Sequence, residues 1–477
     1  MTFNETGKVT VIQSSVSPGD PHICSDSTNR LSIIFSVYEA LVKRDEEGRY
    51  HPSLAEGWSV ERDARTWTFD LRSDVRFHNG DVLRAKDVVA TLARVLDPSI
   101  GGAYGTQGVY GSYLGTANIS ALDDRRVQII TGEPMADLLD LIVAIPISPE
   151  SALEDLLDEY VGSGPYRVAD MGSYRTVLES YDEYWGRKSK VKKVLWLAEP
   201  DSRKRVDALI SDEADIASDI DLEGKKRIEA SNKAEIRELK SGLCIIFMCN
   251  AQRGPCVDAR VRRALNYALD MDEVIKKIKR GAATPLNGFL TPHHFGYDPG
   301  TPFYPYDPDK ARNLLAKAGY GNGLELVVDI PSVMPDEAPH LARLMAQQYE
   351  RVGITLEIVE HKDREEYADM VRAKNINDAC CFDSSPRSTF RVLREKIHSG
   401  VKGPWWQGYA NHEVDDLIEL AQATISDEER REIYRKAYRI IRDDAPWMFL
   451  YRPTHFWGVN QTAKDWMPGK DGLIKID

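Results

Sequence analysis

Near the middle of the chain lies an uninterrupted apolar run, LCIIFMC at 243–249. Its length suits a strand buried on both faces better than an exposed helix. A turn follows at Arg253-Gly254-Pro255, and Asp258 then stands where an N-cap belongs. Val261, Leu265 and Ala268 recur at helical spacing, with Arg260, Arg262 and Arg263 off that stripe. On periodicity alone, residues 242–270 are a strand-to-helix joint inside one α/β domain.

The rest of the chain alternates in the same way. A strand is expected over 8–14, then a turn at Pro18-Gly19-Asp20-Pro21 and a helix over 31–41. Trp58 and Val60, then Trp67, Phe69 and Leu71, repeat at period two and predict a meander of short antiparallel strands through 50–80. A helix over 85–96 closes at Pro98 and Gly101-Gly102. The Gly- and Tyr-rich stretch 101–115, which contains Tyr110, is either a recognition surface or a surface excursion. A strand over 126–131 and helices over 135–141 and 149–160 lead to the Gly/Pro-dense 162–166, a natural boundary. Beyond it, strands at 166–169, 174–178, 191–196, 324–329, 355–360 and 447–451 alternate with helices at 202–210, 271–280, 309–318, 341–352, 414–423 and 427–442. This is α/β layering.

Length adds that 477 residues exceed a single core, so two or three domains are expected. No apolar run approaches the ~18 residues of a membrane span. A net charge of -13, with basic clusters as short as Arg203-Lys204-Arg205 and Lys192-Lys193, argues against a nucleic-acid partner. The opening MTFNETGKVTVIQSS lacks the features of a secretory signal, which leaves a cytosolic protein or a processed form. Among the six cysteines, Cys380 and Cys381 are adjacent, with Cα atoms ~3.8 Å apart, too close for a relaxed disulfide. Cys244 and Cys249 face opposite sides of their strand. Mostly free thiols are expected, which favours a reducing compartment.

Catalytic signatures are missing. The chain has no GxSxG, HExxH or P-loop, and no GxGxxG after a strand. No enzyme activity and no cofactor are expected; a hydrolase would need a nucleophile and base in reach of each other. His293 and His294 diverge on an extended chain with no carboxylate or cysteine at ligand spacing, so they read as surface histidines and no metal site is expected.

Several stretches, in order, resemble the dipeptide, oligopeptide and nickel family of substrate-binding proteins that serve ABC importers, solute-binding protein family 5. They are GDPH at 19–22, YEALV at 38–42, PSLAEGW at 52–58, TWTFDLRSDVRFHNGD at 66–81, AKDVV at 85–89, GSGPY at 162–166, YWG at 184–186, DARVRRALNYALD at 258–270, YDPDKARNLLAKAGY at 306–320, YANHEVDDLI at 409–418 and DDAPWMFLY at 443–451. The resemblance implies an α/β, two-lobed periplasmic-binding-protein clamshell of type II with an inserted α+β subdomain. Lobe I would comprise 1–36, 159–250 and 446–477, with 37–158 as the insert and 251–445 as lobe II. The stretch 242–270 then reads as a crossing between lobes.

The implied function is capture of a small polar solute, a peptide or amino-acid-derived compound, and delivery to a membrane permease from the periplasm by a monomer. A metal chelate or an oligosaccharide on the same fold is the alternative. Family members fix a ligand ammonium with an acidic residue before a Phe, a place taken here by Asp383. Ser-Ser-Pro follows the acid, and Arg387 is added, so either the ligand or Arg387 supplies the cation that a buried carboxylate requires. Trp405 and Trp406 offer stacking faces in a loop that Gly403 and Pro404 are expected to hold near the surface. Ser25, Asp26, Asn250 and Arg253 complete the expected rim with Tyr110.

Overall fold

The computed structural model describes residues 7–25, 27–102, 108–384 and 388–476. The chain divides into two compact units, Met1–Leu239 with His455–Asp477, and Lys240–Thr454.

In the second unit the apolar run forms the strand Cys244–Cys249, buried at all six positions. Ile245, Phe247 and Cys249 enter one core and Cys244, Ile246 and Met248 the other, on opposite faces of the sheet. Burying Ile, Phe and Met side chains of this kind contributes on the order of 1.5–3 kcal/mol each. The strand runs antiparallel to Ala379–Ser384 on one side and to the first part of Trp447–Asn460 on the other. Leu324–Pro331 pairs in parallel with Ala379–Ser384 and with Ile354–His361, and Ala283–Pro285 pairs with Trp447–Asn460. All of 242–270 therefore lies within one unit. The two units meet in sequence at 239/240 and 454/455, and the strand belongs to the unit whose helices cover both its faces.

Asp258 caps the helix Ala259–Tyr267, accepting from the Arg260 amide, and Val261, Ala264 and Leu265 face inward. Arg262 is buried as well. Its guanidinium donates to the carbonyls of Cys256, Val257 and Asp444, which satisfies backbone acceptors at 2.9–3.1 Å.

The first unit carries the sheet Lys8–Gln13, Lys193–Ala198, Arg175–Ser180 and Tyr166–Met171, the first pair parallel and the others antiparallel. A separate four-stranded antiparallel sheet, Ala55–Val60, Thr66–Leu71, Arg126–Ile130 and Asn118–Ala121, lies within residues 37–158. The period-two reading is met here: Trp67, Phe69 and Leu71 are all buried. The helix Ala85–Leu96 packs against two of these strands through its apolar face.

The helix expected over 149–160 is a single three-residue turn, Glu150–Ala152. Glu154, Asp155, Asp158 and Glu159 would crowd the negative end of such a helix, and Leu157 remains exposed. The segments 38–42, 162–166 and 184–186 meet in space. A side chain at Gly162 would lie 2.0 Å from the Val37 carbonyl oxygen, so only glycine fits. Glu39 accepts from Ser163 Oγ (3.0 Å), Tyr184 Oη (2.9 Å) and Trp185 Nε1 (2.7 Å), and burial raises its pKa.

Candidate functional site

Asp383 sits near the end of the strand Ala379–Ser384, with 25% of its side chain exposed. The nearest described cation is one the sequence reading did not single out. Arg364, the first residue of the helix Arg364–Arg372, places Nη2 3.8 Å from Asp383 Oδ1, an ion pair too long to be a hydrogen bond. Its side chain is 9% exposed, and its Nε and Nη1 find no hydrogen-bond partner among the described residues. The guanidinium instead lies over two rings, 5.4 Å from the centroid of Phe382 and 5.7 Å from that of Tyr367. Arg387 and Asp26 fall outside the described residues.

The helix Thr389–Lys396 supports this strand end. Lys396 Nζ donates to Ser384 Oγ (3.1 Å) and approaches the Asp383 carbonyl oxygen (3.4 Å). Burial lowers the Lys396 pKa. Ser384 and Lys396 have the spacing of a nucleophile and base, but they are 1% and 3% exposed, so no substrate reaches them and the contact is structural.

Trp405 and Trp406 are 7% and 8% exposed rather than open faces. Trp405 packs on Phe382, ring centroids 4.8 Å apart, and Trp406 Nε1 donates to the Tyr409 carbonyl at 2.7 Å. Gly403 does the opposite of holding the loop out. A side chain there would lie 2.6 Å from Glu395 Cα, and its absence lets the loop press against the Thr389–Lys396 helix.

Asn250 is 1% exposed, with Nδ2 donating to the carbonyls of Ile376 (3.1 Å) and Asn377 (2.9 Å) and Oδ1 accepting from the Gln252 amide (3.1 Å). Arg253 is exposed and donates to the Ile376 carbonyl at 2.9 Å. Both close the turn after the central strand. Of the expected residues, Asp383, Trp405, Trp406, Asn250 and Arg253 thus belong to the second unit, and Ser25 and Tyr110 to the first.

In the first unit, Ser25 Oγ accepts from the Ser27 amide at 3.2 Å, and Tyr110 borders a cavity of about 390 Å³ with His22, Cys24, Val95 and Pro98. Asp20 binds Arg94 through both oxygens, at 3.0 and 2.6 Å. Burial raises the Asp20 pKa, but the Arg94 and His22 amide hydrogen bonds outweigh it and the net direction is down. Arg94 also donates to His22 Nδ1 at 3.0 Å, so His22 is neutral and carries its proton on Nε2, which donates to the Pro146 carbonyl at 3.0 Å. Burial, reinforced by the Arg94 charge, pushes the His22 pKa down to about 4.

His294 is buried, not superficial, with Nδ1 accepting from the Thr291 amide at 3.1 Å; His293 reaches the Lys240 carbonyl at 2.9 Å. Among the described residues no group of three or more His, Cys, Asp or Glu is placed to hold a metal ion.

Residues 49–379 match the model of the bacterial extracellular solute-binding proteins, family 5. The chain belongs to this family. Among its relatives, the dipeptide-binding protein of Escherichia coli (strain K12) is 27% identical over 454 residues, 87% of this chain and 83% of that protein. The glutathione-binding protein of the same organism is 27% identical over 460 residues, 93% of this chain and 88% of that protein. In three dimensions, HbpA2 from Haemophilus parasuis superposes with a TM-score of 0.84 at 19% identity, covering 98% of each chain, which shows the two-lobed α/β fold. Family 5 proteins are periplasmic or extracellular; they bind a small ligand or peptide for delivery to an ABC permease and are not enzymes. The expectation of a reducing compartment is corrected accordingly. None of the six cysteines forms a disulfide, and all six are buried.

Proposed function

We propose that the protein is the periplasmic, monomeric binding component of an ABC importer for a small polar, amino-acid-derived solute, held by Asp383. The observation that carries this reading is the placement of Asp383. A carboxylate with 25% of its side chain exposed lies near the end of a strand whose other five residues are buried, with a cation at 3.8 Å and aromatic rings beneath that cation. Such a group accepts an ammonium with little rearrangement, since the strand and the Lys396 contact fix its backbone.

Relatives named for binding a dipeptide and glutathione support an amino-acid-derived solute. Trp405 and Phe382 serve as the packed floor of the site, whereas Asn250 and Arg253 hold the turn at the opposite end of the central strand, beside Asp378. Ser25, Asp26 and Tyr110 remain the contribution proposed for the other lobe, and Arg387 for the segment after Asp383. Solute binding favours the closed state by its differential affinity for that state.

Isothermal titration of the purified protein against dipeptides, glutathione, opine-like amino-acid conjugates, nickel–histidine chelates and oligosaccharides tests the reading. Saturable binding of an ammonium-bearing solute, lost in Asp383→Asn, is expected. Binding confined to chelates or oligosaccharides overturns it.

A further inference from the structure

Arg364 poses a problem of charge accounting. A guanidinium carries five N–H donors and stays charged, yet this one, with 91% of its side-chain surface covered, has two nitrogens with no acceptor among the described residues and meets Asp383 at 3.8 Å. The ring faces of Phe382 and Tyr367 hold the group in place without using its donors. Lys374, Arg372 and Lys402, by contrast, find carbonyls, carboxylates or an exposed setting.

We propose that Arg364 receives the α-carboxylate of the solute while Asp383 receives the α-ammonium, so that the solute is recognised by one intact α-amino-acid head group. This rests on the solute-binding reading and narrows it. The protein's opposite charges are 3.8 Å apart. In an amino acid, the ammonium nitrogen and the carboxylate on the same carbon lie about 2.5–3.6 Å apart, as bond lengths dictate. In an extended dipeptide the two termini are separated by a further residue, about 3.3–3.6 Å more. The Arg364–Asp383 spacing matches the first arrangement. The solute is therefore an amino acid extended through its side chain, rather than an α-linked peptide whose first carboxyl is consumed in an amide. Lys396 is a positioning residue, fixing the backbone of Asp383 and Ser384.

Two isomers separate these cases. γ-Glutamylglycine and α-glutamylglycine have the same atoms and the same charge, but only the γ isomer keeps ammonium and carboxylate on one carbon. Calorimetric titration of the full chain is expected to show the γ isomer binding at least tenfold more tightly. Arg364→Gln should reduce that ratio to near one, while Arg364→Lys, which retains the charge but not the fork, should leave it intermediate. Melting curves of each variant confirm the fold, and the native protein alone decides the isomer comparison. Equal affinity, or preference for the α isomer, overturns the head-group assignment and leaves the solute-binding reading standing. If neither isomer binds, the assignment falls, and the wider solute panel decides whether the solute-binding reading falls with it.

Discussion

Ile245 stands directly opposite Asp383 in the antiparallel ladder, and on its other side pairs with Tyr451. The most buried strand of the second unit thus sets the position of its most consequential carboxylate. Rigidity at Asp383 comes from the hydrophobic run around which the sequence is organised.

Replacement of Asp383 by Asn separates binding from stability. An ammonium-bearing solute is expected to lose roughly 30- to 1,000-fold in affinity, in line with about 2–4 kcal/mol for truncating one partner of a charge pair. The ion pair with Arg364 is long, and Asp383 is partly exposed, so the melting temperature should fall little, by about 1 kcal/mol equivalent or less. Calorimetric titration beside differential scanning calorimetry checks both. A large drop in melting temperature with unchanged affinity would make Asp383 a structural group.

Asn250→Ala should behave in the opposite way. It removes two donors to the carbonyls of Ile376 and Asn377 and the acceptor for the Gln252 amide, all within a side chain 1% exposed. Leaving those groups unpaired is expected to cost about 2–4 kcal/mol. Chemical denaturation measures the loss, and the affinity of the folded fraction should stay within a factor of about three of the native value. A selective loss of affinity would return Asn250 to the ligand contacts.

Much of the fold was readable because it rests on period and caps. Ala85–Leu96 and Ser202–Ile210 begin and end where their apolar stripes do. The 243–249 run is a strand buried on both faces because no polar residue interrupts it. The Arg364–Arg372 and Thr389–Lys396 helices were missed, although Asp363 and Ser388 are N-caps whose side chains accept from Glu365, Glu366 and Arg391 amides. Short helices with few apolar residues carry little periodic signal, so the caps were the only available cue. Missing those helices concealed Arg364 and Lys396, the residues that flank Phe382. The burial of Trp405 and Trp406 was equally hidden, because a glycine signals a surface loop and a close approach with the same letter.

The six thiols should be silent in the native protein. Five of them, Cys244, Cys249, Cys256, Cys380 and Cys381, are no more than 2% exposed, and Cys24 is 8% exposed. Burial pushes the Cys244 thiol up to about 12, which removes the thiolate that reacts. Titration with an aromatic disulfide reagent at pH 8 should give less than one equivalent in the native state and six in guanidinium chloride. Four or fewer in denaturant would reveal a disulfide.

His22 makes stability depend on mild acid. Its folded pKa, about 4, lies below the ordinary 6.5, because burial and the adjacent Arg94 disfavour its protonated form. Between those values the unfolded chain binds a proton that the folded chain refuses, so this residue's contribution is complete above pH 6.5 and is lost progressively as the pH falls towards 4. A shift of this size corresponds to about 3 kcal/mol at most. His78 is displaced in the same direction, also to about 4, mainly by burial. Melting temperatures measured from pH 7.5 to 4.5 should therefore decline most steeply below 6.5, and His22→Gln, which keeps an amide donor near the Pro146 carbonyl without a titrating ring, should be less stable at neutral pH but flatter across that range. An unchanged slope in the variant would place the acid sensitivity elsewhere in the fold.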